Sequence, residues 1–144
     1  MTDETQAIVL RQLRRDEGIR LKPYSDTHVP PRMTIGYGRN LDDTGVTLPE
    51  AEYLLQNDAN HAYAVACQLF PSLPTLNPAR QAVLVEMAFN LGIVSLSAFH
   101  KMRECVTDGD IDGAANEMAD SHWATEVGAR AVRLEQQWRT GIEV

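Results

Sequence analysis

Cysteine is scarce in this chain: only Cys67 and Cys105 occur, far apart and without a CxxC pair. A disulfide framework in so short a chain would need more of them, so both read as buried or half-buried free thiols that pack as small hydrophobes. Positive charge is also in deficit. The net charge is −7 and the pI near 5.0, which argues against nucleic-acid binding through phosphate attraction and against a polybasic membrane anchor. Basic residues do gather locally, at Arg11, Arg14, Arg15 and Arg20 and again at Arg130, Arg133 and Arg139. No run of about 18 apolar residues occurs, so no membrane-spanning segment is expected. Met1 to Gln6 is polar and acidic, with neither the basic nor the apolar region of a signal peptide, so folding in the cytoplasm is expected. The histidines His28, His61, His100 and His122 show no metal-ligand spacing, no serine or cysteine sits in a nucleophile elbow, and no phosphate-cradling loop occurs. Neither a metal nor a cofactor is expected.

What remains is the composition of a soluble globular protein. Apolar residues are 44% and charged residues 23% of 144, which suits one domain, 1–144, with room for two lobes. Residues 3–17 read as a helix with Ile8, Val9, Leu10 and Leu13 on its apolar face, an Asp3/Gln6 capping box and Gly18 as its stop. Residues 19–46 change character: prolines at 23, 30 and 31 forbid a helix, and alternation in Ile19–Tyr24 and Met33–Tyr37 predicts two or three short antiparallel strands. Thr47 and Glu50 should open a long helix ending near Leu69, ahead of Pro71. Asn77-Pro78 should start a nearly all-apolar central helix ended by Gly92, followed by helices near 97–107, 110–120 and 127–138. Trp123 and Trp138 read as core anchors. The fold class is α+β: a sheet lobe of about 18–58 and a helical lobe of about 1–17 plus 59–144, joined by a long helix. A cleft between such lobes is a natural ligand site.

Two carboxylates stand out, Glu17 at the end of the first helix and Asp26 in the polar segment beyond it, with eight residues between them. The negative end of the helix dipole, a nearby Asp26 and partial burial would all favour a protonated Glu17, able to donate to a leaving oxygen. Asp26 could accept a proton from a water, and the Thr34 hydroxyl could hold that water's other hydrogen. Taken singly each has a plainer reading: a solvated acid among arginines, a turn aspartate and a strand threonine. Taken together, two acids in different environments are what glycoside hydrolysis needs.

The set Asp16-Glu17-Gly18, Asp26 and Thr34-Ile35-Gly36-Tyr37-Gly38 resembles the phage-type lysozymes, glycoside hydrolase family 24. Gln56-Asn57-Asp58, Met87-Ala88-Phe89-Asn90-Leu91-Gly92, Ser121-His122-Trp123, Arg130 and Arg139-Thr140-Gly141 continue the likeness over essentially the whole chain. The resemblance implies a lysozyme-like fold and an endolysin that hydrolyses the β-1,4 bond between N-acetylmuramic acid and N-acetylglucosamine in bacterial peptidoglycan. It implies inversion, with Glu17 as general acid, Asp26 and Thr34 positioning water, and Phe89 and Asn90 touching substrate. Inverting enzymes hold their carboxyl groups roughly 6.5–9.5 Å apart to admit the water. A monomer is implied that accumulates in the cytoplasm of the infected host cell and reaches the periplasmic cell wall with the help of a separate membrane-permeabilising protein. The alternatives are a lytic transglycosylase, which needs no water-positioning aspartate, and a non-catalytic peptidoglycan-binding relative.

The chain departs from the family pattern in three ways. The segment from Asp26 to Thr34 is two residues longer than in the best-known members and holds His28-Val29-Pro30-Pro31-Arg32. Arg39 stands where the family often has a histidine paired to an aspartate at the position of Asp58, so an Arg39–Asp58 pair is expected. The chain is acidic although its expected substrate is anionic.

Overall fold

Between its first two helices the chain folds into a small meander, as alternation and prolines require. The computed structural model describes residues 1–144. Helix α1 (Asp3–Glu17) leads into strands β1 (Arg20–Ser25), β2 (Met33–Gly36) and β3 (Arg39–Asn40). Six helices follow: α2 (Leu48–Leu69), α3 (Pro78–Ser97), α4 (His100–Asp108), α5 (Ile111–Ala119), α6 (His122–Val127) and α7 (Ala129–Thr140), with a 3₁₀ turn at Leu73–Thr75. This is an α+β protein of the lysozyme-like kind. By packing, the chain divides into two compact units, Met1–Glu52 and Tyr53–Val144.

In the first unit α1 stops before Gly18 as its sequence dictates. Its N-cap is Thr2, whose Oγ1 accepts from Thr5 N–H at 3.2 Å; the expected box from Asp3 does not form, because Asp3 is already the first helical residue. The sheet is antiparallel in the order β1-β2-β3. Thr34 on the middle strand pairs with Tyr24 on one side and Asn40 on the other. Pro23 is tolerated because β1 is an edge strand, where a missing N–H breaks no ladder.

The α2 start confirms half of the expected box: Thr47 N–H donates to Glu50 Oε2 at 2.8 Å. The Thr47 hydroxyl donates to the same oxygen at 2.8 Å rather than capping the helix itself. Arg39 donates to Glu50 through both terminal nitrogens, and to the Gly45 carbonyl at 3.1 Å. Glu50 therefore takes the place expected for Asp58. It lies in the first turn of α2, eleven residues from Arg39.

In the second unit Asn77 caps α3, its Oδ1 accepting from Arg80 N–H at 2.9 Å. The helix breaks at Gly92 but resumes after it; Gly92 has φ 68° and ψ 173°, a backbone conformation that side chains other than glycine resist. By length and composition α3 could cross a membrane, a helix the sequence expectation did not allow for. Five of its side chains, Val83, Leu84, Met87, Ala88 and Leu96, instead go into the core of this unit. The buried apolar residues all lie between Ala62 and Trp138. Trp138 is fully buried, and its Nε1 donates to the Ile111 carbonyl at 3.0 Å; Trp123 is buried as well. Each such side chain contributes about 1.5–3 kcal/mol or more by leaving water. Helix α6 lies where the sequence suggested only a separator. Ser121 caps it by accepting from Ala124 N–H at 3.1 Å. Both cysteines are free and half-buried, and burial pushes the Cys105 thiol up from its ordinary value.

Candidate active site

The end of α1, the end of β1 and the middle of β2 are brought together by the meander, and each carries one of the three expected site residues. Glu17, Asp26 and Thr34 line one cavity of about 470 Å³ in the first unit. Arg20, Tyr24 and Gly38 share its wall. The Arg20 guanidinium lies over the Tyr24 ring, 4.3 Å from its centroid, a cation–π contact that fixes both side chains at the rim.

Glu17 enters over a glycine. A Cβ on Gly38 would sit 3.7 Å from Glu17 Oε2, so the carboxylate lies against bare backbone there. Gly38 also has φ 90°, a conformation other side chains rarely adopt. The glycine at the end of Thr34-Ile35-Gly36-Tyr37-Gly38 is thus required by its own backbone, and it lies beside the acid at the end of α1.

Asp26 is held from several directions. Its Oδ1 accepts the main-chain N–H of His28 at 3.0 Å and that of Arg32 at 2.9 Å. Its Oδ2 accepts from His28 Nδ1 at 2.9 Å. The Arg32 N–H first, then the His28 contacts, hold the Asp26 carboxyl below the usual carboxylate range against partial desolvation. Asp26 is therefore an anion at neutral pH, suited to accept a proton and not to donate one. Its side chain is 18% exposed.

Thr34 is 4% exposed. Its hydroxyl reaches the Arg32 carbonyl at 3.4 Å, a long and weak contact that leaves the hydroxyl oxygen open as an acceptor. The longer segment between Asp26 and Thr34 therefore folds back on Asp26 instead of drawing it out of the cavity. Arg32 pairs with Asp43, and Asn40 Oδ1 accepts the N–H groups of Asp42 and Asp43 at 3.0 and 3.1 Å. These contacts tie the loop to the β3 turn.

Phe89 and Asn90, the other two expected site residues, lie in the second unit on α3. Phe89 is 50% exposed and lines a cavity of about 550 Å³ with Leu55, Val85, Arg130 and Arg133. Asn90 Oδ1 accepts from Trp123 Nε1 at 2.7 Å, so its carbonyl has a structural partner while its amide nitrogen remains available. A larger cavity of about 670 Å³, lined by Phe99, Met102, His122 and Trp123 among others, contains none of the five expected site residues. No cluster of side chains suited to a metal ion occurs.

Sequence reasoning missed His28, Arg32 and Gly38 as parts of this site. A signal existed for His28: an aspartate followed two residues on by a free N–H is the pattern of an Asx turn. None existed for Arg32, whose approach depends on how the loop closes.

Two comparisons with known proteins place the chain in a family. The pre-baseplate central spike protein Gp5 of Enterobacteria phage T4 is 27% identical over an alignment of 165 positions, gaps included, that covers 96% of this chain and 29% of that protein. The chain thus spans less than a third of the length of that curated relative. The phage lysozyme family model matches residues 14–137, a stretch that includes Glu17, Asp26, Thr34, Phe89 and Asn90, and the chain belongs to the phage lysozyme family.

Proposed function

We propose that the chain is a muramidase that hydrolyses the β-1,4 bond between N-acetylmuramic acid and N-acetylglucosamine in bacterial peptidoglycan, with inversion. The observation that carries this reading is the grouping of Glu17, Asp26 and Thr34 around one cavity. Glu17 gives its proton to the glycosidic oxygen as the bond from C1 to that oxygen breaks. A water on the opposite face of the sugar bonds to C1 and loses a proton to Asp26, with Thr34 Oγ1 accepting its second hydrogen. The depressed proton affinity of Asp26 keeps it in the base form that this role requires. Phe89 and Asn90 supply substrate contacts, an apolar face and an amide donor. Neither metal nor cofactor takes part.

The physiological role proposed is that of an endolysin. It acts as a monomer, accumulates in the cytoplasm of the infected host and reaches the periplasmic wall once a separate protein permeabilises the membrane. The match to a phage spike protein favours a second setting, in which the same module cuts the wall during entry. Mass spectrometry of purified virions separates the two: the chain is absent from virions as an endolysin and present as a spike module.

The chemistry is tested with Glu17→Gln, which should fold as wild type and release no sugar from peptidoglycan. Substantial residual hydrolysis would move the acid elsewhere. Products bearing a 1,6-anhydro-muramic end would replace hydrolysis by the lytic transglycosylase alternative.

A further inference from the structure

His28 belongs to the segment in which this chain is longer than the best-known members of its family, and its ring Nδ1 is bonded to Asp26 Oδ2. We infer that His28 is a positioning residue, which fixes the Asp26 carboxylate so that one acceptor site alone, on Oδ2, is left for the water. The inference rests on the hydrolase reading above and deepens it.

An ionised carboxylate offers about four acceptor sites, two on each oxygen. On Oδ1 both are filled, by the N–H groups of His28 and Arg32. On Oδ2 one is filled by His28 Nδ1 at 2.9 Å. Asp26 has no donor in this state, so Nδ1 carries the hydrogen whether the ring is neutral or charged. The remaining site on Oδ2 belongs to the same cavity as the Thr34 hydroxyl, whose oxygen is open as an acceptor. A water held between these two has both hydrogens engaged and its oxygen lone pairs free to attack. Without His28 the carboxylate keeps its Oδ1 bonds but can rotate about them, and a second water can compete at Oδ2.

The His28 ring is 75% exposed, so it contributes little packing and its loss should not unfold the chain. The other charged or titratable groups around the cavity are Glu17, Arg20, Tyr24 and Arg32, and Arg32 is neutralised by Asp43. His28 is thus the titratable side chain bonded directly to Asp26.

The test compares His28→Ala with His28→Asn in the full chain, since the Asn amide nitrogen can stand where Nδ1 stood. Two readouts are taken: the Asp26 carboxyl carbon is titrated by NMR, and kcat and KM are measured on soluble glycan-strand fragments. In His28→Ala the Asp26 titration should move up in pH and the acidic limb of the rate profile should follow it, while kcat falls by about tenfold with KM little changed. His28→Asn should recover most of kcat. An Asp26 titration and a kcat in His28→Ala equal to those of wild type would overturn the inference, and so would equal losses in both variants with the titration unmoved. A wild type that cleaves no glycan overturns the hydrolase reading instead. The carboxyl titration still decides then whether His28 holds the Asp26 charge.

Discussion

Asp26 and Arg32 are bonded reciprocally: Asp26 N–H donates to the Arg32 carbonyl and Arg32 N–H donates to Asp26 Oδ1, each at 2.9 Å. The intervening residues project from a ring closed by these two bonds, which is how the extra loop length is absorbed without moving the carboxylate off the cavity wall.

A contrast between Asp26→Asn and Asp26→Ala follows. Asparagine keeps a carbonyl oxygen for the His28 and Arg32 N–H groups, so the loop should stay closed and the melting temperature should fall only by the share that the Asp26 charge contributes. The charge that accepts the water's proton is gone, and glycan release should fall by a hundredfold or more, on the order of what a positioned general base supplies. Alanine removes the acceptor too, so it should lose activity and lower the melting temperature as well. Melting curves beside glycan release check both, and an Asp26→Asn enzyme at wild-type rate would place the base on another residue.

Thr34 separates positioning from packing. It is buried on the middle strand, so valine fills its space with no hydroxyl and serine restores the hydroxyl with less volume. Thr34→Val should keep the fold and lose kcat on the order of a hundredfold, the scale of a misplaced reacting group. Thr34→Ser should stay near wild type. The reverse ranking in steady-state kinetics would make Thr34 a packing residue only.

Where local rules acted alone, the sequence was a good guide. Both ends of α1 and α2 and the Asn77 cap follow from glycine, proline and capping chemistry within a few residues. The carboxylate–threonine cluster was legible through the family resemblance of the set, since Glu17, Asp26 and Thr34 each had a plainer reading alone. What escaped depended on choices among distant partners. Arg39 had several acidic residues within sequence reach, Asp42, Asp43, Glu50 and Asp58 among them, and the course of the chain after β3 decides for Glu50. Helix α6 is six residues long, too short for a periodic signal, and its cap was read as a break. The contacts of His28 and Arg32 with Asp26 arise from loop closure, which no periodicity encodes.

Asn90 has one amide atom in use and one available, and this divides its roles. Its Oδ1 accepts from buried Trp123, so Asn90→Ala leaves an indole N–H without a partner and should cost about 1–3 kcal/mol of stability. Asn90→Asp keeps the acceptor and removes the amide donor. It should melt near wild type while KM for glycan fragments rises. An unchanged KM in that variant would confine Asn90 to holding Trp123.

The Glu50 contacts predict how stability depends on pH. The Thr47 N–H and hydroxyl, and then Arg39, favour the ionised carboxylate and hold Glu50 below its ordinary value. A group depressed in the folded state binds its proton more readily in the unfolded chain. Its contribution is therefore complete above the unfolded value of about 4.3 and is lost as pH falls through the folded value. Glu50→Gln keeps a carbonyl oxygen for Thr47 N–H but carries no charge for Arg39. The melting-temperature gap between wild type and Glu50→Gln should be widest near neutral pH and should close as the solution is taken below about pH 4. Asp26, also depressed, remains in both proteins, so the variant should still lose some stability in acid. Thermal melts between about pH 2.5 and 7 measure the gap; a gap constant across that range would mean that the charge of Glu50 contributes nothing and that Arg39 is held by the Gly45 carbonyl alone.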